Sequence, residues 1–301
     1  MDSERRTQAF ALLSAVLGHT FWGFSFMASR VALDRAHMFV LLSHRFLLAF
    51  LTMNLLMLAG AARLSLRGKK LLPLFLLGLA EPVVYFFGEQ YGILHSNTIF
   101  SGVMIAMIPV VCMLAAAPLL HEYPTGGQLA FGALSVGGVI GVGLSSSSSG
   151  ALTWGGVAGL LVAVGAATAY TLLGRGISGE FTPFERTYMM MAMGAVIFTL
   201  SALLSGNAEG YFRPLADPAY LLSVCFLGLC CSVGSYFFTS YSITYMTVAR
   251  ETVFANLTTA VSVFAGAFFL REPFTPLGAL CCVLILVGIY GVQRTARDGT
   301  G

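Results

Sequence analysis

Apolar runs of about twenty residues, broken by charge clusters, Gly/Pro pairs and a serine run, fill the chain from end to end. A helix needs about 20 apolar residues to cross the hydrocarbon of a bilayer. The pattern predicts ten such spans, near 8–29, 37–60, 71–93, 98–120, 126–145, 153–174, 184–205, 219–243, 251–270 and 274–293. The connections are short and leave no room for a separate soluble domain. The expected fold is an all-α membrane protein.

The pattern repeats. Shifted by 150 residues, FLLGL (75–79) falls on CFLGL (225–229), and Tyr91 and Ile93 fall on Tyr241 and Ile243. HEYPT (121–125) falls on REPFT (271–275), and Gly138 and Gly141 fall on Gly288 and Gly291. Trp22 has its counterpart near Tyr170. Five spans per half is an odd number, so the second half must insert upside down. The expected units are 1–148 and 149–301, joined by SSSSSG (145–150) read as a flexible linker. Inverted repeats are a hallmark of secondary transporters, with the solute site near the midplane between the halves.

Composition sharpens this. The 301 residues are 57% hydrophobic and only 10% charged, with a mean hydropathy of +0.84. Soluble domains carry about 25% charged residues, so the bilayer is an obligatory partner. A net charge of +3 gives no basic face for nucleic acid. Six cysteines in apolar runs, without metal-ligand spacing, read as core fillers, and no cofactor is expected. The run after Arg5 and Arg6 continues to Met27 without a small-residue cleavage site, so it counts as the first span rather than a signal peptide. With both termini on one side, eleven of the sixteen Lys and Arg residues share that side, four of them in RLSLRGKK (63–70). That bias places both termini in the cytoplasm.

Few polar groups interrupt the spans, and they mark the candidate site. Glu81 lies about ten residues into span three, roughly 15 Å deep at 1.5 Å per residue. Intramembrane acids are costly and mark solute paths. Glu81, Tyr85, Gly88, Glu89 and Gly92 would share one helical face, and Pro82 would free a carbonyl near Gly78 and kink the helix. Glu81 is read as a functional acid in a wet cavity, or else as half of a buried pair with His19 or Arg45. Glu89, nearer the outer interface, is read as a gate or interfacial group, with Arg45 and Tyr241. His19, Trp22 and Phe26 in span one, Tyr170 in span six, Ser232 and Ser235 in span eight and Asn256 in span nine complete the candidate substrate site. Taken singly, most of these are more often packing residues; their shared depth carries the reading.

The chain resembles the ten-helix exporters of the drug/metabolite transporter superfamily, the EamA type. FWGFSFMASR (21–30), HRF (44–46), HEYPTGGQLAFGALSVGGVIGV (121–142) and REPFTPLGALCCVLILVGIYGV (271–292) carry the resemblance. Tyr170 in place of a second Trp, and the missing twin of Arg45 in span seven, depart from it. The resemblance implies a plasma-membrane metabolite exporter working by alternating access, its cavity formed by spans one, three, four, six, eight and nine. It implies a scaffold or dimer surface on the glycine faces of spans five and ten, in a monomer or weak homodimer. The pattern looks nearest to amino-acid exporters, aromatic ones included. The solute would stack on Trp22, Phe26 or Tyr85, with its ammonium near Glu81 and its carboxylate near His19 or the polar ends of spans eight and nine. Drug-like cations are the rival. A phosphate-bearing solute lacks its basic cluster, and an intramembrane enzyme lacks HExxH or GxSxG. Transport down the solute's own gradient is expected; proton coupling through Glu81 is the alternative.

Overall fold

The computed structural model describes residues 2–120, 124–147, 152–177, 179–206, 210–245 and 254–295. Helices account for all ten expected spans. They are α1 (Asp2–Leu33), α2 (Met38–Leu58), α3 (Leu72–Leu94), α4 (Thr98–Ile105 and Ile108–Leu120) and α5 (Gly126–Ser147), followed by α6 (Trp154–Ile177), α7 (Pro183–Leu204), α8 (Pro218–Tyr245), α9 (Ala255–Phe268) and α10 (Pro276–Thr295). Six of them, α1, α2, α3, α6, α7 and α8, are long and apolar enough to cross a membrane on their described residues, and the other four are shorter apolar helices. The serines expected to form a linker are partly helical: 145–147 close α5, and 148–150 lie outside the described residues.

Local chemistry sets several helix starts. Thr182 caps α7 in a reciprocal capping box with Glu185, ahead of Pro183 at the first helical position, the arrangement that satisfies orphan amides at an N-terminus. Asn97 accepts from the Phe100 amide at 2.8 Å to start α4. Asp217 accepts from the Ala219 and Tyr220 amides at the start of α8. The Tyr220 and Ala219 amides, with Arg35, hold the Asp217 carboxyl below the usual carboxylate range.

The helices pair in a pattern that exchanges the halves. α1 packs on α8 and α9, while α3 and α4 pack on α6; α2 pairs with α7 and α5 with α10. Each contact in one half therefore has a partner five helices on. Glycines bring the backbones together. A Cβ on Gly88 would lie 2.5 Å from the Gly159 carbonyl of α6, and one on Gly23 would lie 2.9 Å from the Thr258 carbonyl of α9. The glycine faces of α5 and α10 meet each other: Gly138 and Gly141 sit against Ile285 and Cys281, and Gly288 and Gly291 against Ser135 and Phe131. Close approach of this kind is how helices associate where lipid offers as much apolar contact as protein.

The ends are tied differently. At the end opposite the N-terminus, Arg35 pairs with Asp217 at 3.3 Å and Arg30 donates to the carbonyls of Ile93 (3.0 Å) and Ser96. There the Glu272 carboxylate also accepts from the Thr98 and Ile99 amides of α4 at 2.8 and 3.0 Å. At the other end Glu185 accepts from both the Ser65 amide and Lys69 Nζ, the latter at 2.7 and 2.8 Å. The basic segment 63–70 is thereby fastened to the start of α7. The second loop glutamate, Glu122, lies outside the described residues.

Gly88→Ala is expected to destabilise the fold by about 1–3 kcal/mol, as overpacking against a rigid neighbour does, because a carbonyl and not a movable side chain meets the new methyl. Gly137→Ala, whose Cβ would meet nothing within 4 Å, is expected to be neutral. Thermal unfolding of the two purified variants in detergent measures the contrast.

Candidate functional site

Two membrane helices are interrupted at matched places. α3 is α-helical over Leu72–Gly78, π-helical over Leu79–Val84 and α-helical again over Tyr85–Leu94. α8 does the same over Pro218–Cys225, Phe226–Gly234 and Ser235–Tyr245. Glu81 and Cys231 stand 150 residues apart, each inside an interruption. In α3, Pro82 has no amide to donate, and Glu81 leaves helical geometry altogether (φ −139°, ψ 118°). The kink expected at Pro82 is thus present. Its extent overturns the single continuous face expected for Glu81, Tyr85, Gly88, Glu89 and Gly92: the π-helical turn places Glu81 out of register with the rest, while Gly88 and Gly92 face α6. In α8 no proline is involved. Its loosened carbonyls take side-chain donors instead: Trp22 Nε1 donates to the Cys231 carbonyl at 3.2 Å and Ser235 Oγ to that of Cys230 at 3.2 Å, while the same hydroxyl reaches the Gly18 carbonyl of α1 at 3.1 Å.

A polar cluster joins the two interrupted helices. The Tyr236 hydroxyl of α8 donates to Glu81. The Tyr85 hydroxyl donates to Glu89 Oε1 at 2.9 Å, and Gln90 Nε2 donates to Glu89 Oε2 at 2.9 Å and reaches Ser29 of α1 at 3.3 Å. Arg45 enters from α2. Its Nε donates to Ser232 Oγ at 2.9 Å, and its guanidinium lies 4.2 Å from the centre of the Phe86 ring. Neither acid forms an ion pair with it among the described residues. Arg45 is 2% exposed, Glu89 4% and Glu81 9%. The cluster is enclosed by side chains, where a wet cavity was expected.

Aromatic rings wall it. Trp22 meets Tyr236 edge to face at 5.5 Å and His19 at 5.4 Å. Tyr170 of α6 packs partly buried beside Tyr85 and Tyr236 and is an electrostatic neighbour of Glu81.

The residues expected at the site divide accordingly. Glu81, Tyr85, Trp22, Tyr170 and Ser232 come together. His19 is one step away, bonded to Thr258 Oγ1 at 3.1 Å. Phe26 is buried in a separate apolar cluster with Tyr220, Leu227 and Ile93. Ser235 serves the α8 backbone. Tyr241 lies at the α1–α8 contact, edge-on to Phe10 at 4.9 Å. Asn256 belongs to α9, and its side chain lies outside the described residues. Glu89 and Arg45, placed at the outer edge by residue count, are interior. Tyr236 and Gln90 were not among the residues expected at the site. The recurrence of YFF at 85–87 and 236–238 was the available signal for Tyr236, and the adjacency of Gln90 to Glu89 was the signal for Gln90.

Trp22→Phe separates two roles for the indole. The variant keeps an aromatic surface but leaves the Cys231 carbonyl without its donor. It is expected to lose about 1–3 kcal/mol, the usual penalty for an unsatisfied buried group, read as a lower unfolding temperature without added solute. An unchanged unfolding temperature leaves the indole only a stacking role.

Comparison with known proteins agrees with this architecture. The model of the EamA-like transporter family matches twice, over residues 9–144 and 153–294. An uncharacterized transporter of Bacillus subtilis (strain 168), YcxC, is 31% identical over 311 aligned residues, covering 98% of each chain. An uncharacterized transporter of Archaeoglobus fulgidus is 26% identical, covering 91% of this chain and 95% of its own. A solved crystal structure superposes with a TM-score of 0.65 at 18% identity over 97% of this chain and 99% of its own, a likeness of fold. Two repeats of five helices, interrupted helices joined by a polar cluster and a family model that fits each half lead to one conclusion: the chain belongs to the EamA-like transporter family, and is a multi-pass membrane transporter.

Proposed function

We propose that the chain exports neutral amino acids, aromatic ones included, across the plasma membrane by alternating access. The observation that carries this reading is the polar cluster itself. Two carboxylates and one guanidinium are enclosed between the interrupted helices of the two halves, within a wall of Trp22, Tyr85, Tyr170 and Tyr236. Enclosing charge here costs free energy that packing alone would not demand. A solute with an ammonium and a flat apolar side chain matches both the acids and the rings, and each acid is bonded to a tyrosine of that wall. Alternating access would loosen one set of end contacts, Arg35 with Asp217 and Glu272 with α4, while Lys69 and Glu185 hold the other end. The units that rock are the two halves, 1–148 and 149–301. The excess of one buried acid over the single buried guanidinium favours, as a second reading, the efflux of drug-like cations.

Counterflow into liposomes containing the purified protein tests the reading. A panel of neutral amino acids is expected to exchange, and Glu81→Gln to slow that exchange at least tenfold while the protein stays monodisperse. Exchange of organic cations alone would sink the amino-acid reading in favour of the second one. A Glu81→Gln protein that fails to fold would make Glu81 a structural partner of Tyr236. A pH step across the same liposomes separates the modes of coupling: transport down the solute's own gradient is expected, and uphill movement driven by a proton gradient and abolished by Glu81→Gln, with counterflow retained, would make Glu81 the proton site.

The orientation has its own test. Both termini are proposed to be cytoplasmic, so a cysteine introduced at Ser147, at the end of α5, is expected to react with a membrane-impermeant thiol reagent in intact cells. Reaction only after lysis would reverse the topology.

A further inference from the structure

Arg45 is a buried charge with a donor left over. It is 2% exposed, and its Nη1 is buried with no hydrogen-bond partner. Its Nε is held by Ser232 and one flat face is covered by Phe86, so the guanidinium is fixed in place with a donor unused. The acids nearby do not fill that vacancy: Glu81 is engaged by Tyr236, and Glu89 by Tyr85 and Gln90. Next to Glu89, Gln90 Oε1 is also buried without a partner. The cluster therefore keeps one charged donor and one neutral acceptor open.

An unpaired buried charge is costly, and a guanidinium presents parallel N–H groups that match a carboxylate. A simple cation would gain from the two acids but be repelled by Arg45. A simple anion would gain from Arg45 but face two acids. A zwitterion satisfies both sets, its ammonium toward the acids and its carboxylate toward the guanidinium.

We propose that Arg45 is the carboxylate anchor of the solute site, with Ser232 as the positioning residue that aims it, and that this pair makes the transporter select zwitterions over the corresponding amines. The inference rests on the amino-acid reading above and moves the expected carboxylate position. His19 is already bonded to Thr258, whereas Arg45 has a donor to offer.

The test is a ratio. In liposomes carrying the full-length protein, phenylalanine and 2-phenylethylamine compete for counterflow, as do leucine and 3-methylbutylamine. Each pair shares its side chain and ammonium and differs in the carboxylate. The wild type is expected to prefer the amino acid by about tenfold or more, the scale of a charge-assisted hydrogen bond. Arg45→Gln is expected to bring that ratio near one by weakening the amino acid and not the amine. Arg45→Lys and Ser232→Ala are expected to fall in between. If Arg45→Gln does not yield monodisperse protein, the ratios in Arg45→Lys and Ser232→Ala decide. A ratio unchanged from wild type in the variants, or parallel loss of both solutes in each pair, would overturn the anchor while leaving the amino-acid reading intact. A wild type that prefers the amines, or carries neither, removes the amino-acid reading and the anchor with it.

Discussion

Inside a bilayer every backbone amide and carbonyl must find its partner within the protein, and the two π-helical interruptions are where that requirement presses hardest. α3 and α8 both loosen near their middles, around Glu81 and around Cys231. Each interruption needs protein on the side it opens, which forces the two to face inward. α8 is met by Trp22 and Ser235, whose donors reach its carbonyls, and the α1–α8 contact is built around those bonds. In α3 the interruption turns Glu81 out of the helical register and toward Tyr236. The polar centre of the molecule thus follows from where backbone hydrogen bonding is broken.

Charge then limits what the centre can be. One guanidinium and two carboxylates lie close enough to influence one another, yet without a direct ion pair among the described residues. Each acid is instead held by hydroxyl or amide donors, Tyr236 for Glu81, Tyr85 and Gln90 for Glu89. Neutral donors restrain an acid at modest strength, whereas a bidentate contact with Arg45 would lock it. A transporter gains from the weaker arrangement, because a solute has to exchange with the groups that bind it and then leave.

Around that centre the scaffold is made by close backbone approach. α5 and α10 use their glycines on each other, with Phe131 filling the space left by Gly291 and Cys281 the space left by Gly141. The glycine faces expected to serve as scaffold or dimer surface are buried inside the chain as scaffold. α1, α3 and their partners use the same device near the polar cluster, at Gly23 and Gly88.

The sequence alone settled what depends on local composition and period. Ten apolar runs became ten helices within a few residues of their expected ends, because the length of a span is dictated by the bilayer and its ends by caps such as Thr182, Asn97 and Asp217. The 150-residue repeat pointed to two halves, and the isolated acids of α3 to the site. What the sequence left undecided was everything that depends on one helix meeting another. Residue counts placed Arg45 and Glu89 near an interface, since counting measures depth and not which side of a helix is covered. Tyr236 read as one more aromatic, and only the tertiary arrangement, which brings its hydroxyl to Glu81, gives it that partner. The single face proposed for α3 assumed an unbroken 3.6-residue period. The π-helical turn broke that period, and proline chemistry indicates that a helix yields at Pro82 without indicating how its register recovers. Phe26 shares its helix with Trp22, which touches both clusters, but is itself buried with Tyr220, Leu227 and Ile93, because the neighbours on each side of α1 come from distant parts of the chain.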